Sequence, residues 1–104
     1  VLKGDLEKKK NILVEISNAL EPKRTEINEI NKQLCSDYFY LINNMNIRHN
    51  NCDKTDMGKY NEKFDILKSE EKEEWYDNIF QMGLLMYLLL ENKKNSSKIK
   101  YFKQ

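Results

Sequence analysis

Leucine or isoleucine occupies every seventh position through the first half of the chain. The six residues of this run are Leu6, Leu13, Leu20, Ile27, Leu34 and Leu41. Side chains at this spacing share one face of a helix, so the run predicts amphipathic helices. Four of the six intervening coiled-coil positions are polar, namely Lys9, Lys23, Asp37 and Asn44. We therefore interpret the stripe as facing the core of a bundle, and a coiled coil with a partner chain is the alternative.

Pro22 interrupts this run without changing its phase. Proline lacks an amide donor and disfavours helical geometry in the residue before it, here Glu21. We therefore predict a break or kink within three residues of Pro22, between one helix at about residues 5–20 and a second at about residues 22–46.

The segment from Ile47 to Thr55 has no apolar period and is rich in turn-forming residues, which predicts a loop. A helix over residues 56–68 is predicted to follow, with its apolar stripe at Met57, Tyr60, Phe64 and Leu67. Gly58 weakens that helix by about 1 kcal/mol relative to alanine, so we expect it to be short.

The strongest helix signal covers about residues 70–91. Ser69 is a candidate cap, and the acidic residues that follow it suit the amino-terminal end of a helix. Apolar residues then cover every face as far as Leu90, which predicts a central fourth helix buried on all sides. We expect Leu85, Met86 and Leu89 to be almost fully buried. The apolar stretch is only about 18 Å long against the roughly 30 Å of a bilayer core, so it does not predict a transmembrane span.

Residues 92–104 contain five lysines and no acid, together with Ile99, Tyr101 and Phe102. Ser96 and Ser97 separate them from the central helix, so we predict a frayed basic tail or a short further helix. The whole chain, residues 1–104, is therefore predicted to form one all-α domain, a bundle of about four helices.

Residues suited to catalysis do not cluster in this sequence. The single histidine, His49, lies in a polar loop, the glycines are far apart, and the acids are spread along helix surfaces. His49, Cys52, Asp53 and Asp56 lack the paired ligands that zinc requires, so we interpret them as a solvated loop. We predict a protein that is not an enzyme and that holds no cofactor or metal.

The two cysteines are too few for a disulfide framework. Cys35 lies beside Leu34 on a predicted helix, where a buried free thiol is the ordinary state. A disulfide between Cys35 and Cys52 stays open, because the sequence does not indicate the compartment of the protein.

The composition is biased toward residues with AT-rich codons, with 16 lysines and 13 asparagines against a single alanine. This bias is typical of AT-rich genomes, for example those of malaria parasites, and reports on codons rather than on function. The first residue is Val1 rather than methionine, so we expect a piece of a larger protein. The net charge of +1 supplies no bulk attraction to nucleic acid, which we do not expect as a partner.

We therefore predict a non-catalytic helical protein–protein interaction module. Its partner is expected to contact the seven-residue stripe, at Leu6, Leu13, Leu20 and Ile27. The amino-terminal segment from Leu2 to Leu20 is the part that we expect to reach a partner chain. One alternative is association with a membrane surface through Lys93, Lys94, Lys98, Lys100 and Lys103. Another is a self-assembling, coiled-coil-like structural element. In isolation we expect a monomer or a weak homodimer.

Overall fold

The computed structural model describes residues 5–104, whose regular elements are all helices, with no strand among them. The helices are α1 (Leu6–Leu20), α2 (Arg24–Ile30), α3 (Lys32–Asn44), α4 (Glu62–Asp65) and α5 (Ser69–Lys103), and a 3-10 turn, Glu21–Lys23, follows α1. The predicted all-α bundle is confirmed.

The first helix begins and ends where its local chemistry predicts. The carboxylate of Asp5 accepts a hydrogen bond from the amide of Lys8 at 2.9 Å and caps α1. After Leu20 the chain tightens into the 3-10 turn that contains Pro22, so the predicted break is confirmed.

A second break, at Asn31, divides the helix that was predicted over residues 22–46. Asn31 has an extended backbone (φ −150°, ψ 92°), and its side chain accepts a hydrogen bond from the amide of Leu34 at 3.0 Å. The asparagine thus ends α2 and caps α3 in one step, since its short amide side chain competes with the helical backbone for donors. The continuous helix was the wrong prediction.

The predicted helix over residues 56–68 is also wrong, because only α4, a single turn, is helical there. The loop before it is ordered by asparagines: the amides of Asn46 and Asn51 donate to each other's side-chain oxygens at 2.8 and 2.9 Å. Asn46 adopts a positive φ of 56°, a conformation that asparagine tolerates. The carbonyl of Asn51 accepts from the amide of Asn61, whose side chain in turn caps α4. These local bonds satisfy the backbone and replace a longer helix.

The separate tail that was predicted over residues 92–104 is the end of α5, which runs without interruption through Ser96 and Ser97. At the other end of the helix, Lys68 rather than Ser69 occupies the cap position, and its amide donates to the carboxylate of Glu71 at 3.1 Å. A helix of 35 residues is about 52 Å long, and the molecule is accordingly elongated, at 59 × 30 × 18 Å.

Only one face of α5 is buried. The buried residues recur every three or four positions: Tyr76, Ile79, Gly83, Met86 and Leu90. Leu85 is half exposed and Leu89 is partly exposed, so the prediction of a central helix buried on all sides is wrong for both of them. The reason is that the other helices all lie on the same side of α5.

The other helices pack against this buried face in opposite directions. Lys9 of α1 contacts Glu73 and Asp77, and Ile16 lies close to Gly83, so α1 runs parallel to α5. In α3 the direction is reversed, because Tyr38 lies near Gly83 while the end of α3 reaches Tyr76. A β-carbon at position 83 would lie 3.0 Å from Ile16 Cγ2, so glycine permits this close approach.

Two buried tyrosines in the core differ in the partner of their hydroxyl group. The hydroxyl of Tyr76 donates to the carbonyl of Met45 at 2.9 Å, whereas the buried hydroxyl of Tyr38 has no hydrogen-bond partner among residues 5–104. Burial raises the pKa of both groups, so both stay neutral at physiological pH.

We expect Tyr38→Phe to leave the free energy of unfolding unchanged or to raise it by up to about 1 kcal/mol, because it removes an unsatisfied buried hydroxyl. Tyr76→Phe, the matched control, should lower the free energy by about 1 kcal/mol because it removes a hydrogen bond. Urea unfolding of both variants measures this difference, and equal losses would show that the hydroxyl of Tyr38 has a partner in solution.

Candidate binding surface on the longest helix

A row of apolar side chains lies exposed on α5, opposite its buried face. We call Leu84, Leu85, Leu88, Ile99 and Phe102 the outer face of α5; each is at least 45% exposed. In helical projection these positions lie about 120–180° from the centre of the buried face, because successive residues turn by about 100°. They form two apolar clusters, one of Leu84, Leu85 and Leu88 and one of Ile99 and Phe102, about 16 Å apart along the helix. Exposed apolar clusters on one side of a helix indicate a binding surface more often than single scattered side chains do.

The outer face continues past the edge of the bundle. Every residue from Glu91 to Gln104 is exposed, so no other helix in the described part of the chain covers this part of α5. Asn92 and Asn95 lie within the row, between Leu88 and Ile99 in sequence. Tyr101 is also exposed but lies on another side of the helix, and its ring contacts that of Phe102 edge to face.

The five lysines proposed for anionic surfaces are all exposed on α5. Lys93 lies 3.6 Å from Glu26 and 4.0 Å from Glu29, and these ion pairs connect α5 to α2. Lys94 lies 3.4 Å from Glu91 on its own helix. Part of this positive charge is therefore already balanced within the chain, which weakens its attraction to an anionic surface.

A shallow apolar groove of about 220 Å³ lies between α1 and α5. It is lined by Lys9, Ile12, Leu13, Tyr76, Asp77 and Phe80. The volume is below the roughly 300 Å³ of small-molecule pockets, so it suits one side chain of a partner protein better than a cofactor.

The polar end of this groove is a buried ion cluster. The ammonium group of Lys9 is 2.8 Å from Asp77 and 2.9 Å from Glu73, and the Lys9 side chain is only 5% exposed. Burial by itself lowers the pKa of Lys9, but hydrogen bonds to the two carboxylates outweigh it and raise the pKa above 10.5. Lys9 is therefore a positively charged structural link between α1 and α5.

Most of the predicted partner-binding residues are buried in the structure. Leu13, Leu20 and Ile27 are buried in the core of their own chain, and Leu6 packs against it. A partner cannot contact the first three without unfolding the bundle, so the stripe is a core feature. Leu2, the start of the predicted partner-binding segment, lies outside the described residues.

No three or more histidine, cysteine or acidic side chains cluster as metal ligands among residues 5–104. Cys35 and Cys52 are free thiols, and burial raises the pKa of both. In the same region the hydroxyl of Tyr60 donates to Asp65 at 2.8 Å, which lowers the pKa of Asp65 and raises that of Tyr60 to about 12. These side chains hold the loop against α4.

No known protein family, curated protein sequence or solved structure matches this chain. Among residues 5–104, none of the helices combines the length and the apolar character needed to cross a bilayer.

The outer face was not predicted from the sequence, because residues 70–91 were interpreted as a helix buried on all sides. Leu85, Leu88, Asn92, Asn95, Ile99 and Phe102 recur at alternating spacings of three and four residues. That spacing is a one-sided pattern, and it runs through the two serines that suggested a separate tail. It is readable from the sequence once α5 is treated as one helix.

Proposed function

We propose that this domain is a non-catalytic protein–protein interaction module and that the outer face of α5 receives its partner. The observation that carries the proposal is the row of exposed apolar side chains, of which Leu88 is 66% exposed. A bundle of this size gains nothing for its own core from side chains that stay in water. Their burial against a partner would stabilise a complex.

The shape of the surface favours a helical partner. From Leu84 to Phe102 the face extends about 27 Å along a regular helix. Its apolar residues form two clusters with spacings of three and four positions, one of Leu84, Leu85 and Leu88 and one of Ile99 and Phe102. Apolar anchors at this spacing are typical of a helix that packs against another helix. The groove beside Lys9 lies elsewhere on α5 and offers room for one further side chain.

The proposal is tested by affinity capture from an extract of the source cell. We expect a protein bound by the wild-type domain to be lost with Leu85→Glu/Leu88→Glu, because a charge in the middle of an apolar interface is desolvated without a partner. Tyr101→Glu is the matched control and should retain it, since Tyr101 is exposed on the same helix but lies outside the outer face.

Retention of every bound protein, including further copies of this chain, by the double variant would contradict the proposal. If the wild-type domain bound anionic vesicles rather than protein, and the double variant lost this binding, a second candidate function would be favoured. That candidate is membrane-surface association, and the exposed lysines beside Ile99 and Phe102 support it. Asn92 and Asn95 count against it, since both would place amide groups within the apolar layer.

A further inference from the structure

We propose that the partner of the outer face is a second copy of this chain, bound through an antiparallel coiled coil of the two α5 helices. This inference rests on the proposed function and specifies its partner. Four observations carry it: a heptad pattern, the pairing of like layers, charge complementarity and an uncovered helix surface.

The heptad pattern covers three repeats at the end of α5. Its a and d positions are Leu85, Leu88, Asn92, Asn95, Ile99 and Phe102, with alternating spacings of three and four residues. All six side chains are exposed, so they form a seam that no other part of the described chain covers. Apolar a and d residues are the contact positions of two-stranded coiled coils, and a polar asparagine in the seam fixes its register.

In an antiparallel arrangement, every apolar residue of the seam faces an apolar residue of the other copy, and every asparagine faces an asparagine. When two copies are centred between residues 93 and 94, Leu85 of one faces Phe102 of the other and Leu88 faces Ile99. Asn92 then faces Asn95 at the centre. The amides can donate to each other, whereas any shift by a heptad would set an amide against an apolar side chain at a cost in stability.

The charges beside the seam favour the antiparallel direction over the parallel one. Glu91 and Lys98 both occupy g positions of the heptad. In an antiparallel pair, g positions face each other, so Glu91 of each copy lies beside Lys98 of the other. In a parallel pair, Lys98 would instead face Lys103 across the interface, and the lysine-rich ends of both copies would lie side by side. Opposite charges attract and like charges repel, so charge pairing selects the antiparallel dimer.

The fold leaves room for the second copy. Helices α1, α2 and α3 contact the buried face of α5, and Lys93 is held toward α2 by Glu26, on the side away from the seam. The a, d, e and g positions between Leu84 and Lys103, twelve residues of each copy, would contribute to the interface. Specific interfaces use about 20–30 residues a side, so this one is smaller than usual and predicts a dimer of low affinity.

Sedimentation equilibrium of the whole domain, at about 10 to 200 μM, tests the inference. We expect a monomer–dimer equilibrium that Leu88→Glu weakens at least tenfold, a loss of about 1.4 kcal/mol in binding free energy. Tyr101→Glu is the matched control, because Tyr101 is as exposed as Leu88, at 70% against 66%, but lies off the seam. Ile99→Glu repeats the test at a residue beyond the bundle, where a charge cannot disturb the core.

The direction of the helices is tested by exchanging charges. Lys98→Glu should weaken the antiparallel dimer, because it faces Glu91, and Glu91→Lys/Lys98→Glu should restore it. In a parallel dimer, Lys98→Glu would face Lys103 and strengthen association. A stronger dimer on Lys98→Glu therefore overturns the antiparallel pairing.

A domain that stays monomeric over the whole concentration range overturns this inference, and so does a dimer that Leu88→Glu and Ile99→Glu leave unchanged. Neither result decides the proposed function, which the capture experiment tests with other proteins. Binding of the wild-type domain, but not Leu88→Glu, to phosphatidylserine vesicles without any dimer in solution also overturns the second copy as the partner.

Discussion

Met86→Ala is expected to lower the free energy of unfolding by about 2–5 kcal/mol, whereas Leu85→Ala should lower it by less than about 1 kcal/mol. The two residues are neighbours on α5, but Met86 is fully buried against the bundle and Leu85 is 46% exposed. Removing the side chain of Met86 leaves a cavity, while the site of Leu85 is open to water. Urea unfolding of both variants gives the free energies at a common m-value.

This pair also distinguishes the two interpretations of α5. A helix buried on all sides would lose similar free energy at both positions. Losses of similar size would therefore show that the exposed side of α5 is covered in solution. A dimer would also cover Leu85. If the two losses were still similar well below the concentration at which the domain dimerises, the one-sided packing of α5 would be contradicted.

The second large effect is expected at the buried Lys9. Glu73→Gln/Asp77→Asn should lower the free energy of unfolding by about 3 kcal/mol at neutral pH, because it leaves the ammonium group of Lys9 buried without a countercharge. We place the loss at the lower end of the range for buried pairs because Asp77 is 35% exposed and water screens it. Lys9→Met should cost less, about 1–2 kcal/mol, since the carboxylates of Glu73 and Asp77 that it leaves without a cation are 19% and 35% exposed and stay partly hydrated.

The pH dependence of this cluster follows from the direction of the pKa shift. Because the folded state raises the pKa of Lys9 above 10.5, the folded state holds this proton more tightly than the unfolded chain. The stabilisation is complete below about pH 10.5 and is lost as the pH rises through the folded pKa. When the pH is raised from neutral to strongly alkaline, the free energy of unfolding should therefore fall less for Lys9→Met than for the wild type. Thermal unfolding at the two pH values measures this difference. Glu74→Gln, a change of an exposed acid on the same helix, is the control and should follow the wild type.

The sequence predicts the parts of this fold that depend on local chemistry and on strong periodicity. Pro22 interrupts the first helical segment as its type predicts, and the seven-residue spacing correctly places Leu13 and Leu20 on one face of α1. The helix class follows from the same periods. These features depend on neighbours within one or two turns, which the sequence contains directly.

The errors arise where a tertiary contact or a competing local bond decides. Asn31 ends α2 because its side chain caps α3, although its helix propensity is compatible with a continuous helix. Leu85 and Leu88 are apolar, but a sequence shows which residues prefer burial and not how many helices are present to bury them. The alternating spacing of the candidate surface can be read from the sequence, but which side of α5 stays exposed depends on where α1, α2 and α3 pack, and that is seen only in the folded chain.

Because α5 is uninterrupted, residues 91–103 form helix as an extension of the packed part of the same helix. An isolated helix of thirteen residues is marginal in water because its first turn costs entropy and gains only one hydrogen bond. Residues 91–103 avoid that initiation step, since the packed turns from Tyr76 to Leu90 already act as the nucleus. Each further residue only propagates the helix. The bundle thus acts as a template for the segment beyond it, and a mutation deep in the core at Met86 would weaken helical order about 25 Å away, at the end of α5.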